Sequence, residues 1–339
     1  MKTTKVKLFI HIGFPKTGNT TLHYLFLKSK NINYLVRNTT DRRIIEELEI
    51  IWKSMMFDSL DTYKTKIRKN YKSILSRLSN RKNNVLLIEG ITDLFFYYTR
   101  KKDFLKRLQI LQLETRKKIN IQIILTLRKQ SEFILSRYLE TPEFFVDLKK
   151  NWNNFRNLLL SFKKPFSRKN KNEKKFVNHL KYSKTCMKLI KYFDIKNMHI
   201  YFYEELKYDK INFSKKLSKL LDLNYRFTLN FLTNNQLNKS YDTKYLGHIT
   251  KKKQINYIMI NNKIYSIIGK YIPLKLKFII KNLIKYFDFF LLFILMSLRL
   301  KKRIQILPKD KDLIQKFYYH DNKKIEKLLG INLKKWGYY

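Results

Sequence analysis

Val6, Leu8, Phe9, Ile10 and Ile12 make an apolar run of strand length, and after a short polar stretch Leu22, Leu25 and Phe26 return at helical spacing. Residues 6 to 27 therefore predict a buried strand, a tight glycine-containing loop and the first turns of a helix. From 41 to 82, Ile44, Ile45, Leu48, Ile51, Trp52 and Met55 stand at helical intervals among charges. Two helices are expected there, with a polar break near Asp58 to Asp61, covering one face of a sheet. VLLIEG at 85 to 90 differs in kind, because four apolar residues in a row suit a parallel strand buried on both faces, and IQIILTL at 121 to 127 reads as a third buried strand. A helix rich in Leu, Lys and Arg is expected between them at 103 to 118. The polar stretch 163 to 175 reads as an exposed loop. Beyond it, a helix from near Val177 to Phe193 leads to the strand opening MHIYFYEEL, 198 to 206, with a helix bearing Leu217, Leu220 and Leu221 behind it. Strands alternating with helices predict an α/β fold, a central and mostly parallel sheet flanked by helices.

Size and composition narrow this picture. A chain of 339 residues accommodates one large domain or one domain with an appended lobe, and 44% hydrophobic with 15% aromatic residues excludes a disordered chain. The formal charge of +47 would ordinarily point to nucleic acid or an anionic membrane. The sequence, however, contains no alanine, 7 glycines and 5 prolines, and is crowded with Lys, Asn, Ile, Phe and Tyr, whose codons are rich in A and T. Base-composition pressure accounts for much of the lysine excess, leaving a positive field suited to an anionic nucleotide or polysaccharide. The single cysteine, Cys186, allows no intrachain disulfide and fits a reducing compartment. MKTTKVKLFI runs into the first strand without a signal-peptide core, and no stretch has the length of a membrane span, so a cytoplasmic protein is expected.

The candidate chemistry lies in Phe14-Pro15-Lys16-Thr17-Gly18-Asn19-Thr20-Thr21. A glycine-bearing turn feeding a helix aims successive backbone N–H groups at one spot, where the helix N-terminus adds partial positive charge. An anion belongs there. Lys16 brings a full charge, and the hydroxyls of Thr17, Thr20 and Thr21 could donate to phosphate or sulfate oxygens. Gly13-x4-Gly18 is spaced like a Walker A loop, yet Asn19 stands where that pattern needs its lysine. PKTGNTTL instead resembles the PKTGTT loop of sulfotransferases that use 3′-phosphoadenosine 5′-phosphosulfate (PAPS), departing from it at Asn19. LRKQSEFILSRYLE resembles that family's second signature, an arginine at a strand end and a serine eight residues later, here Arg128 and Ser136. Tyr203-Glu204-Glu205-Leu206 resembles its late Tyr-Glu-x-Leu element, in which Glu204 is expected to be structural. NNQLNKS, 234 to 240, resembles an Asn-x-Ser element of bacterial members. FYYHDNKKIEKLLGINLKKWGYY, 317 to 339, resembles the closing Tyr-x-x-Asp-Asn helix and terminal Gly-Tyr.

The resemblance covers residues 5 to 245 and 308 to 339 within one domain, 1 to 339. It implies a three-layer, P-loop-like fold with a helical C-terminal insertion at 250 to 307. It also implies sulfuryl transfer from PAPS, without a metal, to a hydroxyl of an acceptor such as a carbohydrate or glycolipid. Lys16 would stabilise the departing 5′-phosphate, residues Thr17, Gly18, Asn19, Thr20 and Thr21 would hold the phosphosulfate, and Arg128 with Ser136 would hold the 3′-phosphate. The base would be a histidine or a glutamate; Glu89, at the end of the second predicted strand, is the first candidate, and a helix cap or a Lys16 partner is its plain alternative. His11 and His23 read first as ordinary buried or surface histidines. A P-loop NTPase or small-molecule kinase would need a lysine at position 19 and an Asp after an apolar strand. A basic nucleic-acid-binding protein would leave the glycine loop unexplained. The apolar run Phe289 to Met296, flanked by Lys275, Lys277, Lys281 and Lys285 and by Arg299, Lys301, Lys302 and Arg303, has two readings: a peripheral dock on an anionic inner membrane face, or a core helix with solvated flanks.

Overall fold

A computed structural model describes residues 5–35, 54–55, 58–88, 104–140, 162, 177–235 and 306–339. Its centre is a five-stranded sheet, β1 (Val6–His11), β2 (Ile32–Leu35), β3 (Asn83–Leu87), β4 (Ile119–Leu127) and β5 (Met198–Phe202), in the order β2-β3-β1-β4-β5. All four pairings are parallel. With Ile10 opposite both Leu86 and Ile123, β1 is the middle strand, and its last four residues are buried. In β4 the first half alternates buried and half-buried positions while the last five residues are all buried, as the sequence IIL-Thr-Leu requires of a strand covered on both faces.

Helices connect the strands: α1 (Asn19–Lys28), α2 (Leu60–Ser76), α3 (Phe104–Thr115), α4 (Gln130–Glu140), α5 (Tyr182–Phe193), α6 (Tyr203–Tyr208), α7 (Lys210–Leu221), α8 (Tyr225–Asn234) and α9 (Pro308–Leu329). The expected α/β architecture is therefore present. Leu22, Leu25 and Phe26 of α1 pack with Phe9, Val85 and Ile124 of the sheet and with Phe213, Leu217 and Leu221 of α7. Each such side chain is worth about 1.5–3 kcal/mol when fully buried, so this cluster fixes α1 and the loop before it against the sheet. The polar break expected at Asp58 to Asp61 is the start of α2, where the Ser59 hydroxyl accepts from the Thr62 N–H at 3.1 Å.

The short edge strand β2 has no counterpart in the sequence reading. INYL offers only two buried residues, and a side chain fixes it: Asn33 Nδ2 donates to Asn84 Oδ1 at 2.6 Å. Asn84, fully buried, also donates to the Lys7 and Ser79 carbonyls and accepts the Ser79 N–H, so β3 starts at Asn83 rather than at Val85.

The chain falls into two compact units: Met1–Ile134 with Leu159–Asn238 and Lys309–Tyr339, and Leu135–Leu158 with Lys239–Pro308. The first holds the whole sheet. Of the second, the described part is the end of α4 and residues 306–308. The expected insertion 250–307, apart from its last two residues, and the exposed loop 163 to 175 lie outside the described residues. So does the 234 to 240 element beyond Asn235. No described helix is long and apolar enough to cross a membrane.

Candidate functional site

Because every strand is parallel, the chain leaves β1, β3, β4 and β5 at one edge of the sheet, the carboxyl edge where open α/β sheets place ligands. Gly13 to Gly18, Ile88, Arg128 and Tyr203 all follow those strand ends. Past β1 the backbone stays tied to β4, with the Ile12 N–H on the Ile124 carbonyl at 2.9 Å and the Phe14 N–H on the Thr126 carbonyl at 3.2 Å. The loop then turns through two left-handed residues, Lys16 at φ 61° and Gly18 at φ 85°. For Gly18 this is cheap; for a lysine it is strain, the kind that persists where surrounding contacts over-determine the backbone. Gly13 is required for a different reason. A Cβ there would lie 1.9 Å from Asn19 Oδ1 and 2.5 Å from Thr126 Oγ1.

Helix α1 begins immediately, with Gly18 as its N-cap, no side-chain cap and no acidic residue in its first turn. The first N–H to find an acceptor inside the helix is that of Leu22, on the Gly18 carbonyl at 3.1 Å. The positive end of this helix is thus left uncompensated by the helix itself, next to Lys16.

Beneath the loop lies a buried polar network. The Thr17 hydroxyl donates to the Phe14 carbonyl at 2.6 Å and lies 2.7 Å from Thr126 Oγ1. Asn19 Nδ2 donates to the same carbonyl at 3.0 Å, and its Oδ1 accepts from Thr126 at 3.1 Å and lies 3.0 Å from the Thr17 hydroxyl. His11 Nε2 is 3.3 Å from Thr126 Oγ1, and burial pushes its imidazole down to about 3, so it is neutral. The side chains of Thr17 and Asn19 are therefore taken up by the protein, and what these residues can offer an anion is backbone. Thr21 is also buried; Thr20 is half-buried.

Arg128 comes to this loop directly. Its Nη1 donates to the Lys16 carbonyl at 2.8 Å, its guanidinium stacks 4.4 Å from the centre of the Tyr203 ring, and Glu132 lies 3.7 Å from Nη2. Its Nε is buried with no acceptor, an incompletely satisfied cation with its side chain only 13% exposed. Tyr203 touches the other side as well, since a Cβ on Gly18 would meet Leu206 at 2.6 Å and Tyr203 at 3.5 Å. Lys16, Gly18 and Arg128 are thus brought together. Ser136 lies on α4, half-buried, in the segment that opens the second unit. Glu89 lies outside the described residues; its neighbour Ile88 closes β3, with its N–H on the His11 carbonyl at 3.0 Å. His23 is half-buried on α1 with Nδ1 2.6 Å from the Tyr34 hydroxyl, and burial lowers its pKa.

Glu204 is built into the frame. It is buried, and its carboxylate accepts the Lys129 N–H and the Tyr338 hydroxyl, each at 2.9 Å. Burial raises its pKa, and these hydrogen bonds oppose the rise. The closing motif reaches the same junction: Asn322 Oδ1 accepts from Gln130 Nε2 at 2.7 Å while its Nδ2 donates to the Tyr338 carbonyl at 3.2 Å, and Phe202 stacks 4.9 Å from Trp336. The sequence shows the terminal Gly-Tyr and the Asp-Asn pair but not that Tyr338, through Glu204, and Asn322 tie down Lys129 and Gln130 beside the arginine. Thr126 was missed too, hidden as a β-branched residue within an apolar strand. Among the described residues no three metal-ligating side chains cluster.

No known family profile and no curated protein matches the sequence. Solved structures do match. A sulfotransferase from Alicyclobacillus acidocaldarius superposes with a TM-score of 0.50 over 97% of each chain, at 10% identity. Retinol dehydratase, solved with androsterone and the inactive cofactor PAP, aligns over 74% of this chain and 69% of its own, at 11% identity and a TM-score of 0.28. The first superposition shows that this chain has the fold of that sulfotransferase.

Proposed function

We propose that the chain is a sulfotransferase that moves the sulfuryl group of PAPS to a hydroxyl of an acceptor, and that this acceptor is a saccharide or glycolipid. The observation that carries the reading is the pairing of a strained Lys16 with Arg128 at the N-terminus of an uncapped helix, on the carboxyl edge of a parallel sheet. Two anionic groups could be served there, one by the loop and one by the arginine, and a nucleotide with a 5′-phosphosulfate and a 3′-phosphate offers two. The residues fit such a donor: the first turn of α1 supplies N–H groups without a competing carboxylate, and Arg128 keeps a buried Nε with no acceptor.

PAPS supplies an activated sulfuryl group; the chain supplies positioning and charge. The backbone of Thr17, Gly18, Asn19, Thr20 and Thr21 would hold the phosphosulfate, and Arg128 with Ser136 the 3′-phosphate. Lys16 would stabilise the charge that collects on the 5′-phosphate oxygen as its bond to sulfur breaks. Glu89 would take the acceptor proton as that oxygen attacks sulfur. Asn19 speaks against a P-loop kinase, whose lysine must reach phosphate from this position, because its side chain is turned inward and fully engaged. A buried, unpaired Cys186 is compatible with a reducing cytoplasm. Contact of residues 270 to 303 with an anionic membrane face rests on their sequence alone and would appear as flotation with anionic vesicles at low salt.

The deciding experiment is titration with adenosine 3′,5′-bisphosphate in the presence of EDTA. Saturable binding in the micromolar range is expected; a requirement for Mg2+, or retention on DNA with no nucleotide binding, would overturn the reading.

A further inference from the structure

Thr126 stands at the meeting point of three elements. From β4 its hydroxyl lies within hydrogen-bond distance of His11 on β1, Thr17 in the loop and Asn19 at the start of α1. Two threonine hydroxyls hold two protons, and the surrounding acceptors are the Phe14 carbonyl, Asn19 Oδ1 and the hydroxyl oxygens themselves. The Phe14 carbonyl is served by Thr17 and by Asn19 Nδ2. Thr126 can send its proton to Asn19 or Thr17 only if it does not send it to His11. The histidine is then the donor, with its proton on Nε2, whenever the Thr126 proton goes to Asn19 or Thr17. The same assignment suits Nδ1, which is buried with no partner: as a bare nitrogen it is an unsatisfied acceptor, whereas an N–H there would be a stranded donor.

We propose that Thr126 is a positioning residue for the anion loop: its hydroxyl, receiving the His11 Nε2 proton, locks Asn19 and Thr17 inward, so that the Phe14–Gly18 backbone is held in the shape that presents Lys16 and the first N–H groups of α1 to a bound anion. Asn19 then acts as a clamp within the protein. The close fit of Gly13 against Asn19 and Thr126 belongs to the same device, because any side chain at 13 would drive the two apart. His11 titrates far below neutrality, so the lock holds across the physiological range.

The effect on nucleotide rests on the sulfotransferase reading; the hydrogen-bond direction does not. Two measurements on the full chain therefore separate them. The first is 15N NMR of the histidines, with the His11 signals assigned by their loss in His11→Gln. A neutral ring protonated on Nε2 through pH 6 to 8 is expected, and protonation on Nδ1 would overturn the proposal. The second is titration of wild type, Thr126→Val and Thr126→Ser with adenosine 3′,5′-bisphosphate well below each melting temperature. Valine keeps shape and removes the hydroxyl, so roughly tenfold weaker binding is expected, with serine restoring it to within about twofold. Equal affinity of wild type and Thr126→Val would overturn the proposal even if the variant melts lower. Failure of the wild type to bind would instead overturn the sulfotransferase reading, and the tautomer would decide this one alone.

Discussion

The junctions β1 to α1 and β5 to α6 are built alike and furnished oppositely. Both carry the chain from the carboxyl edge of the sheet into a helix, the first through the loop from Ile12 to Gly18 and the second directly. The second fills its first turn with Glu204 and Glu205, both buried and both spent inside the protein: Glu204 on Lys129 and Tyr338, Glu205 on Asn212 at 2.8 Å and Lys216 at 2.5 Å. The first has no carboxylate in its opening turn and places a strained lysine in front of it. Where the fold brings its own negative charge, a strand-to-helix turn is a joint. Where it withholds that charge while concentrating positive potential, the turn is shaped for an anion from outside.

The most direct way to break this contrast is Lys16→Ala. If the loop serves sulfuryl transfer, turnover should fall by roughly 100-fold or more while nucleotide affinity changes far less, as for other preorganised groups that meet transition-state charge. Steady-state rates and a binding isotherm, taken together, check it; unchanged turnover would reduce the first junction to a joint like the second. Glu89→Gln should follow, with a rate loss on the order of 100-fold and little change in nucleotide affinity, because a base acts on the acceptor. Full turnover in that variant would move the search to His23.

Arg128→Ala sharpens the comparison, since this residue belongs to both halves of the site. Its contact with the Lys16 carbonyl means that even 3′-dephosphorylated nucleotide should bind more weakly, and loss of a charge-assisted phosphate contact should add about 2 kcal/mol for the 3′-phosphorylated one. Ser136→Ala should weaken only the latter. Isothermal titration with both nucleotides separates these outcomes, and equal losses in both variants would leave only a supporting role.

Glu204→Gln probes the other junction, with an effect on stability and little on affinity: about 1–3 kcal/mol, from disturbing the Lys129 and Tyr338 hydrogen bonds. Its pH dependence has a definite sign. The folded pKa of Glu204 is raised by burial, so the folded state holds this proton more tightly than the unfolded chain. Wild-type stability from this group is full below the unfolded carboxylate pKa of 4.5 and is lost as pH rises through the raised folded value. The glutamine variant lacks that loss, so the gap between the two should narrow with rising pH. Chemical denaturation at pH 4 and pH 8 tests it; a widening gap would mean that the ionised form is the better bound.

Much of this frame could be read from the residue pattern, and the reasons are local. Phe9 to Ile12 and the 121 to 127 run announce buried strands because most positions are apolar, and the glycine loop with its lysine follows from a handful of adjacent residues. What escaped notice is held together across the chain. Strand β2 exists because Asn33 finds Asn84, and Glu204 is structural because Tyr338 comes to it from 134 positions away. Asn19 reads as one of the residues that would hold the phosphosulfate; its side chain turns inward onto the Phe14 carbonyl and Thr126, and a one-dimensional pattern cannot place Thr126 beside it.

The bracing of Arg128 also sets an order of events. Lys129 finds its partners in Glu204 and the Trp336 carbonyl and Gln130 finds Asn322, the farthest with a separation of 207 residues. Closing loops of that length is entropically slow, and a chain emerging from the ribosome has shown β1 to β5 long before residues near 338 appear. The sheet and the glycine loop can form first, leaving the arginine junction open until the last helix docks. Completion of the arginine junction is therefore the expected closing step of folding, and a nascent chain arrested before Asn322 should carry a formed sheet without the Gln130–Asn322 contact.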